Sequence, residues 1–171
     1  MRAAMVVVLL GACGGGDDPV DLTGVYQVSS VARSAPCGDD MPAVSPPAYV
    51  KLSKDKIFGQ DYFKYEECTD AAGTDCMDGG VFFGVSFFEP IDGGWKGEVT
   101  GSSSGGSSDP MCLLSYSLST ALLDGAALTV ETTEYSDEVA NTEQLCTTDE
   151  ADRRGTSMTC DEHLLLMATK L

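Results

Sequence analysis

From residue 22 onward, apolar and polar residues alternate in short runs broken by turn residues, the period-two signature of half-buried β-strands. Residues 22–32 form the first such run, 48–54 the second and 57–67 the third, with Asp55-Lys56 expected to turn between the last two. Residues 79–89 carry Phe82, Phe83, Phe87 and Phe88 on both faces, as expected for a strand over the thickest part of a core. Asp92-Gly93-Gly94 is a turn, after which Trp95, Gly97 and Val99 alternate with Lys96, Glu98 and Thr100. The clearest alternation follows a Gly/Ser loop at 101–110. Cys112, Leu114, Tyr116 and Leu118 are read as facing a core, and Ser115, Ser117 and Ser119 as facing solvent. Asp124-Gly125 is a hairpin turn leading to a strand over 126–135, and a last strand spans 157–171.

Residues 136–155 break this pattern. They are acidic and lack alternation, and Thr147 followed by Glu150 reads as a capping box for a short helix that Gly155 would end. Eight strands in up-and-down order predict an all-β fold, an antiparallel barrel closed on itself, with an open sandwich as the structural alternative.

The first residues belong to a different kind of segment. Arg2 precedes an apolar run from Ala3 to Leu10 and the small residues Gly11 and Ala12, the layout of a secretory signal over 1–12. Leu10-Gly11-Ala12-Cys13 resembles the lipobox of bacterial lipoproteins, and the Ala12-Cys13-Gly14-Gly15-Gly16-Asp17 start is similar to that of lipoproteins from myxobacteria-like bacteria. The resemblance implies a diacylglycerol on the Cys13 sulfur, cleavage before it, and acylation, such as by palmitate, of the new N-terminus. It also implies an anchor in the cell envelope. Gly14, where enteric lipoproteins held at the inner membrane carry Asp, leans towards the outer membrane. Residues 13–21 then form a flexible Gly- and Asp-rich tether, and 22–171 the barrel domain.

Beyond Cys13 the chain has Cys37, Cys68, Cys76, Cys112, Cys146 and Cys160. In an exported chain an even number without CxxC reads as a disulfide framework, which sets aside redox and zinc-ribbon chemistry. Cys68 and Cys76 flank a turn-rich segment and are expected to pair locally. Cys146 with Cys160 would close the acidic loop, leaving Cys37 for Cys112 by elimination. The formal net charge of -17 excludes nucleic acid as a partner class, since phosphate binding needs clustered Lys and Arg. It favours a soluble monomer and offers a docking surface for a basic protein.

Asp21-Leu22-Thr23-Gly24-Val25-Tyr26 resembles the opening strand of lipocalin-like proteins, where Gly-x-Trp marks the closed end of the barrel; here Tyr26 stands at the Trp position. That family implies a cup-shaped barrel for a small apolar ligand. It carries over no ligand-binding residue.

Catalytic chemistry finds little support. Gly101-Ser102-Ser103-Ser104-Gly105 matches a nucleophile-elbow pattern, but inside a Ser/Gly low-complexity loop rather than before a helix. His163 is the one imidazole, on the strand face of Leu165 and Met167, and reads as structural. Asp70, Asp75 and Asp78 fail the EF-hand spacing and read as a solvated turn. The Phe and Tyr residues of the third and fourth strands read as core rather than pocket lining. The expectation is a non-enzymatic, lipid-anchored binding protein without metal or cofactor. The alternative is an acidic docking or inhibitor protein for a basic partner.

Overall fold

The computed structural model describes residues 19–33, 37, 45–77, 85–106 and 109–171. Its strands are β1 (Gly24–Arg33), β2 (Tyr49–Ile57), β3 (Gln60–Cys68), β4 (Cys76–Met77), β5 (Ser86–Phe87), β6 (Glu89–Ile91), β7 (Gly94–Ser103), β8 (Met111–Asp124), β9 (Ala127–Ala140) and β10 (Thr159–Lys170). Helix α1 (Thr148–Arg154) and a 3-10 turn over Gly155–Ser157 lie between β9 and β10. The proposed signal, Cys13 and most of the tether lie outside the described residues, as do Phe82, Phe83 and Asp78.

The strands form an antiparallel sheet in the order β4-β3-β2-β1-β10-β9-β8-β7-β6. The last strand therefore pairs beside the first, and the sheet curls around them. The expectation of eight strands in a fully closed barrel is corrected on two points. Ten strands are described, because the stretch expected as one strand over 79–89 contributes two short pieces, β5 and β6, and β4 is added after Cys76. Closure is also incomplete. Residues 86–91 bridge the sheet's two ends, with β6 paired to β7 and β5 to β3 through Phe63–Phe87 and Lys64–Ser86 alone. The result is an open, curled barrel with a short clasp across its seam. Gly97 makes the clasp possible: a Cβ there would stand 1.8 Å from the Ser86 carbonyl oxygen.

Asp55-Lys56 is not the β2–β3 turn. Both strands run further, pairing from Tyr49–Cys68 to Ile57–Gln60, and the chain reverses at Phe58-Gly59. Half of the capping box is present: the Thr147 hydroxyl accepts the Glu150 N–H at 3.1 Å, while the Glu150 carboxylate bonds Arg153 and Arg154 instead of the Thr147 N–H, and Gly155 ends α1.

The register shows which side each residue takes. Ala121 pairs with Val130 and Leu123 with Leu128, all in the barrel's inner cluster with Phe63, Phe87 and Trp95. Side chains alternate along a strand, so Ser119, Ser117 and Ser115 share that inner face. Leu114, Tyr116 and Cys112 lie on the outer face, buried in a second cluster with Ala151 of α1, Met158 and Val139. The sequence expectation for this strand is thus inverted: the Leu/Tyr stripe is covered from outside by α1, and the serines point into the barrel. Both stripes have a burial-compatible surface to face, so alternation alone does not set the side.

Three disulfides fasten this arrangement. Cys68–Cys76 closes the local loop as expected. The other two pairings are corrected to Cys112–Cys146 and Cys37–Cys160. Cys112 lies on the outer face of β8, within reach of the segment leading into α1. Cys160 opens β10, whose neighbour is β1, and this places it near the chain that leaves β1.

Candidate functional site: the cup at the open end of the barrel

The barrel has a filled end and an open end. At the filled end Leu22 is fully buried, Tyr26 donates its hydroxyl proton to the Leu22 carbonyl at 2.6 Å, and the Trp95 indole N–H donates to the Val20 carbonyl at 2.6 Å. Phe63 meets the Trp95 ring edge-on, with centroids 5.0 Å apart. Burial, then the nearby Asp21 charge, pushes the Tyr26 phenol up to about 12, so it remains a donor at any ordinary pH. The polypeptide entering β1 is therefore a plug. Phe63, Tyr65 and Phe87 are core, as their strand spacing predicts, whereas Tyr62 and Phe88 stack on each other outside it with ring centroids 5.1 Å apart and Phe58 is exposed.

Going up the barrel from Trp95, the inner residues of β7 become small: Gly97, then the half-exposed Val99. Those of β8 shorten from Leu123 and Ala121 to Ser119, Ser117 and Ser115. Small side chains on adjacent strands leave space, and a cavity of about 420 Å³ opens there. Val85, Val99 and Leu113 give it apolar walls, and Ser115, Ser117 and Ser136 give it hydroxyls. Ser119 closes its floor by hydrogen bonding Thr132 at 2.9 Å, both buried.

Glu134 and Asp161 stand at the acidic side of the cup. The protein surrounding Glu134, and then the charges of Glu162 and Asp161, hold its carboxyl above the usual range. Glu162 is ion-paired to Arg33 across the β1–β10 neighbourhood. A raised carboxyl pKa means the fold disfavours the charged form, a penalty fully present above the folded pKa and relieved as pH falls through it. Glu134→Gln is therefore expected to stabilise the protein near neutral pH by a few tenths of a kcal/mol, discounted for exposure. Urea melts should show that gain shrinking as pH drops through the ordinary carboxylate range; a pH-independent gain would point to packing instead.

The other candidate residues are dispersed. Ser103 ends β7 and is followed by a loop, so the elbow geometry is absent. His163 is buried on the outer face of β10, its Nε2 2.6 Å from a Glu131 carboxylate oxygen and its backbone N–H on the Cys37 carbonyl at 3.0 Å. Ser103 and His163 thus occupy opposite faces of the sheet, and the imidazole serves the wall. Asp70 is occupied by its own loop: it accepts from the Thr74 N–H at 3.0 Å, the Thr74 hydroxyl at 2.6 Å and the Asp75 N–H at 3.0 Å. Those bonds hold its carboxyl below the usual range. Among the described residues no group of His, Cys, Asp and Glu is placed to hold a metal ion.

No protein-family model, curated protein or solved structure matches this chain.

The sequence reading missed the cup because it assigned the serines to solvent. One signal was available: Gly97 and Val99 on β7 face the Ser119 and Ser117 positions of β8, so neighbouring strands both run from large to small residues towards the same end.

Proposed function

We propose that this chain is an exported binding protein, held at the cell envelope by lipid on Cys13, that takes a small ligand in the cup. The observation that carries this reading is the contrast between the two ends of one barrel. The Trp95–Phe63–Leu22 end is filled, whereas the end lined by Ser115, Ser117, Val99 and Leu113 keeps about 420 Å³ open. Pockets of this size, with mostly apolar walls and a few placed polar groups, suit small organic ligands. The small apolar ligand expected from the sequence is sharpened to one with an apolar body and a hydrogen-bonding group for the serines. Glu134 and Asp161 disfavour an anionic group.

A neutral solvatochromic dye such as Nile red tests this. Ser117→Phe should fill the cup and lower dye affinity at least about tenfold, the scale of one lost apolar contact surface. Absence of saturable dye uptake by the parent, or equal uptake by both proteins, would remove the cup from consideration. The docking alternative predicts a projecting acidic element. Hairpin β2–β3, which extends past β1, instead carries balanced charge and an apolar tip.

A further inference from the structure

Hairpin β2–β3 extends well past β1. Gly24, the first residue of β1, pairs with Leu52, and β2 continues to Ile57. At about 3.3 Å per residue the tip stands roughly 17 Å past the first residue of β1, while on its other side the hairpin is held by the clasp, where Gln60 Nε2 donates to the Phe88 carbonyl at 3.1 Å. At that tip Ile57 is 44% exposed and Phe58 fully so. Phe58 is also the one non-glycine residue among those described with a left-handed backbone, φ 51°. A bulky residue is costly there, and Asn or Gly would turn the chain more easily. An aromatic ring is thus held in solvent, at a backbone position that disfavours it.

The charge around the tip is balanced. Lys54 and Lys56 both pair with Asp61, at 2.9 and 2.8 Å, and Asp55 accepts from the Tyr62 hydroxyl. The tip is therefore a neutral, apolar point on a chain of formal net charge -17. That charge repels a second copy and an anionic surface alike, but not a zwitterionic one. The tip also projects from the end at which the chain enters the barrel. Val20 is fixed there by Trp95, and Cys13 lies seven residue steps before it, a reach of at most about 25 Å.

We infer that Ile57 and Phe58 insert into the interfacial region of a zwitterionic bilayer, a second contact beside the lipid anchor, with the lysine stems of the hairpin lying along the headgroups. This rests on the proposed lipidation of Cys13, which makes insertion an intramolecular step and turns the cup away from the membrane. A weak tip suffices once an anchor holds it near the surface.

The test uses the full chain in phosphatidylcholine vesicles whose acyl chains are brominated. Trp95 is buried, so Phe58→Trp adds one reporter at the tip. Its emission should be quenched by the brominated lipid, and Ile57→Ser in the same protein should reduce quenching several-fold. An unquenched Trp at 58 in vesicle-bound protein overturns the inference. A blue shift that rises with protein concentration without lipid also overturns it, by placing the tip against another copy. Phe58→Asn should melt no lower than the parent and should lose vesicle contact, measured as binding of the non-lipidated Cys13→Ser protein, on the order of tenfold. Intact mass of parent and Cys13→Ser decides the anchor separately. If neither carries lipid, the anchor reading fails, and quenching of added vesicles' contact at position 58 still decides the hairpin.

Discussion

Leu114→Ala should destabilise the protein by about 2–5 kcal/mol and leave dye uptake by the cup unchanged. Leu114 is fully buried, yet its contacts are with α1 and its flanking turns rather than with the barrel interior. Truncation removes its transfer free energy and leaves a void between two rigid surfaces, β8 and a helix capped at both ends. The Cys112–Cys146 bond prevents the helix from settling freely into that void. Urea melts with and without Nile red separate the two faces of β8. A large loss of stability with parental dye affinity is expected at Leu114. At Ser117 the pattern reverses, because Ser117→Ala removes little volume and changes only the cup. Loss of dye binding in Leu114→Ala at denaturant concentrations where it remains folded would place Leu114 on the inner face and contradict the register.

Replacing both Cys37 and Cys160 by alanine should cost about 5 kcal/mol, the largest single effect expected in the molecule. The bond spans a sequence separation of 123, so its removal frees most of the unfolded chain from closure. By the same reasoning Cys112–Cys146, at a separation of 34, contributes about 4 kcal/mol, and the short Cys68–Cys76 loop less. The loss at Cys37–Cys160 has a local signature too. The Cys37 carbonyl accepts the His163 N–H, and the disulfide holds that residue beside β10, on the edge where β1 pairs. In the double mutant His163 should gain solvent access, read as faster hydrogen exchange at its amide ahead of global unfolding. Peptide mapping without reductant should recover Cys37–Cys160, Cys68–Cys76 and Cys112–Cys146. Recovery of Cys146–Cys160 would overturn the register at the start of β10.

Much of the fold is legible in the sequence because turn chemistry and alternation are local. Asp92-Gly93, Asp124-Gly125 and the Thr147–Glu150 cap all mark the element boundaries they predict. The β2–β3 turn is misplaced because Asp55-Lys56 has ordinary turn composition, whereas Phe58-Gly59 does not advertise a reversal; only Gly59, with φ 84°, carries the signal. The misassigned face of β8 has a different cause. Period-two alternation reports that two stripes differ in polarity, and it assigns a side only when one side is water. Here α1 covers the apolar stripe, so the strand has protein on the outside and a polar cup within. Two of the three disulfide pairings escape the sequence for a related reason. Cys160 looks adjacent to Cys146 along the chain, but sheet order places β10 beside β1, and spatial neighbours of that kind are set by topology. Cys68 and Cys76 were legible because their proximity is sequential.

The plug at the base of the barrel also sets how the molecule carries mechanical load. Tension on the chain before residue 20 reaches the indole N–H of Trp95 through the Val20 carbonyl, then the phenol of Tyr26 through the Leu22 carbonyl. It passes next into β1 along that strand's own axis. β1 is flanked by β10 and β2, with Tyr26 paired to Lys170 on one side and Val50 on the other. A pull in this direction loads both ladders in shear, so their hydrogen bonds resist together instead of opening one after another. The curled sheet should therefore yield at its two-pair clasp, or release Val20 and Leu22 as slack, before β1 leaves its neighbours.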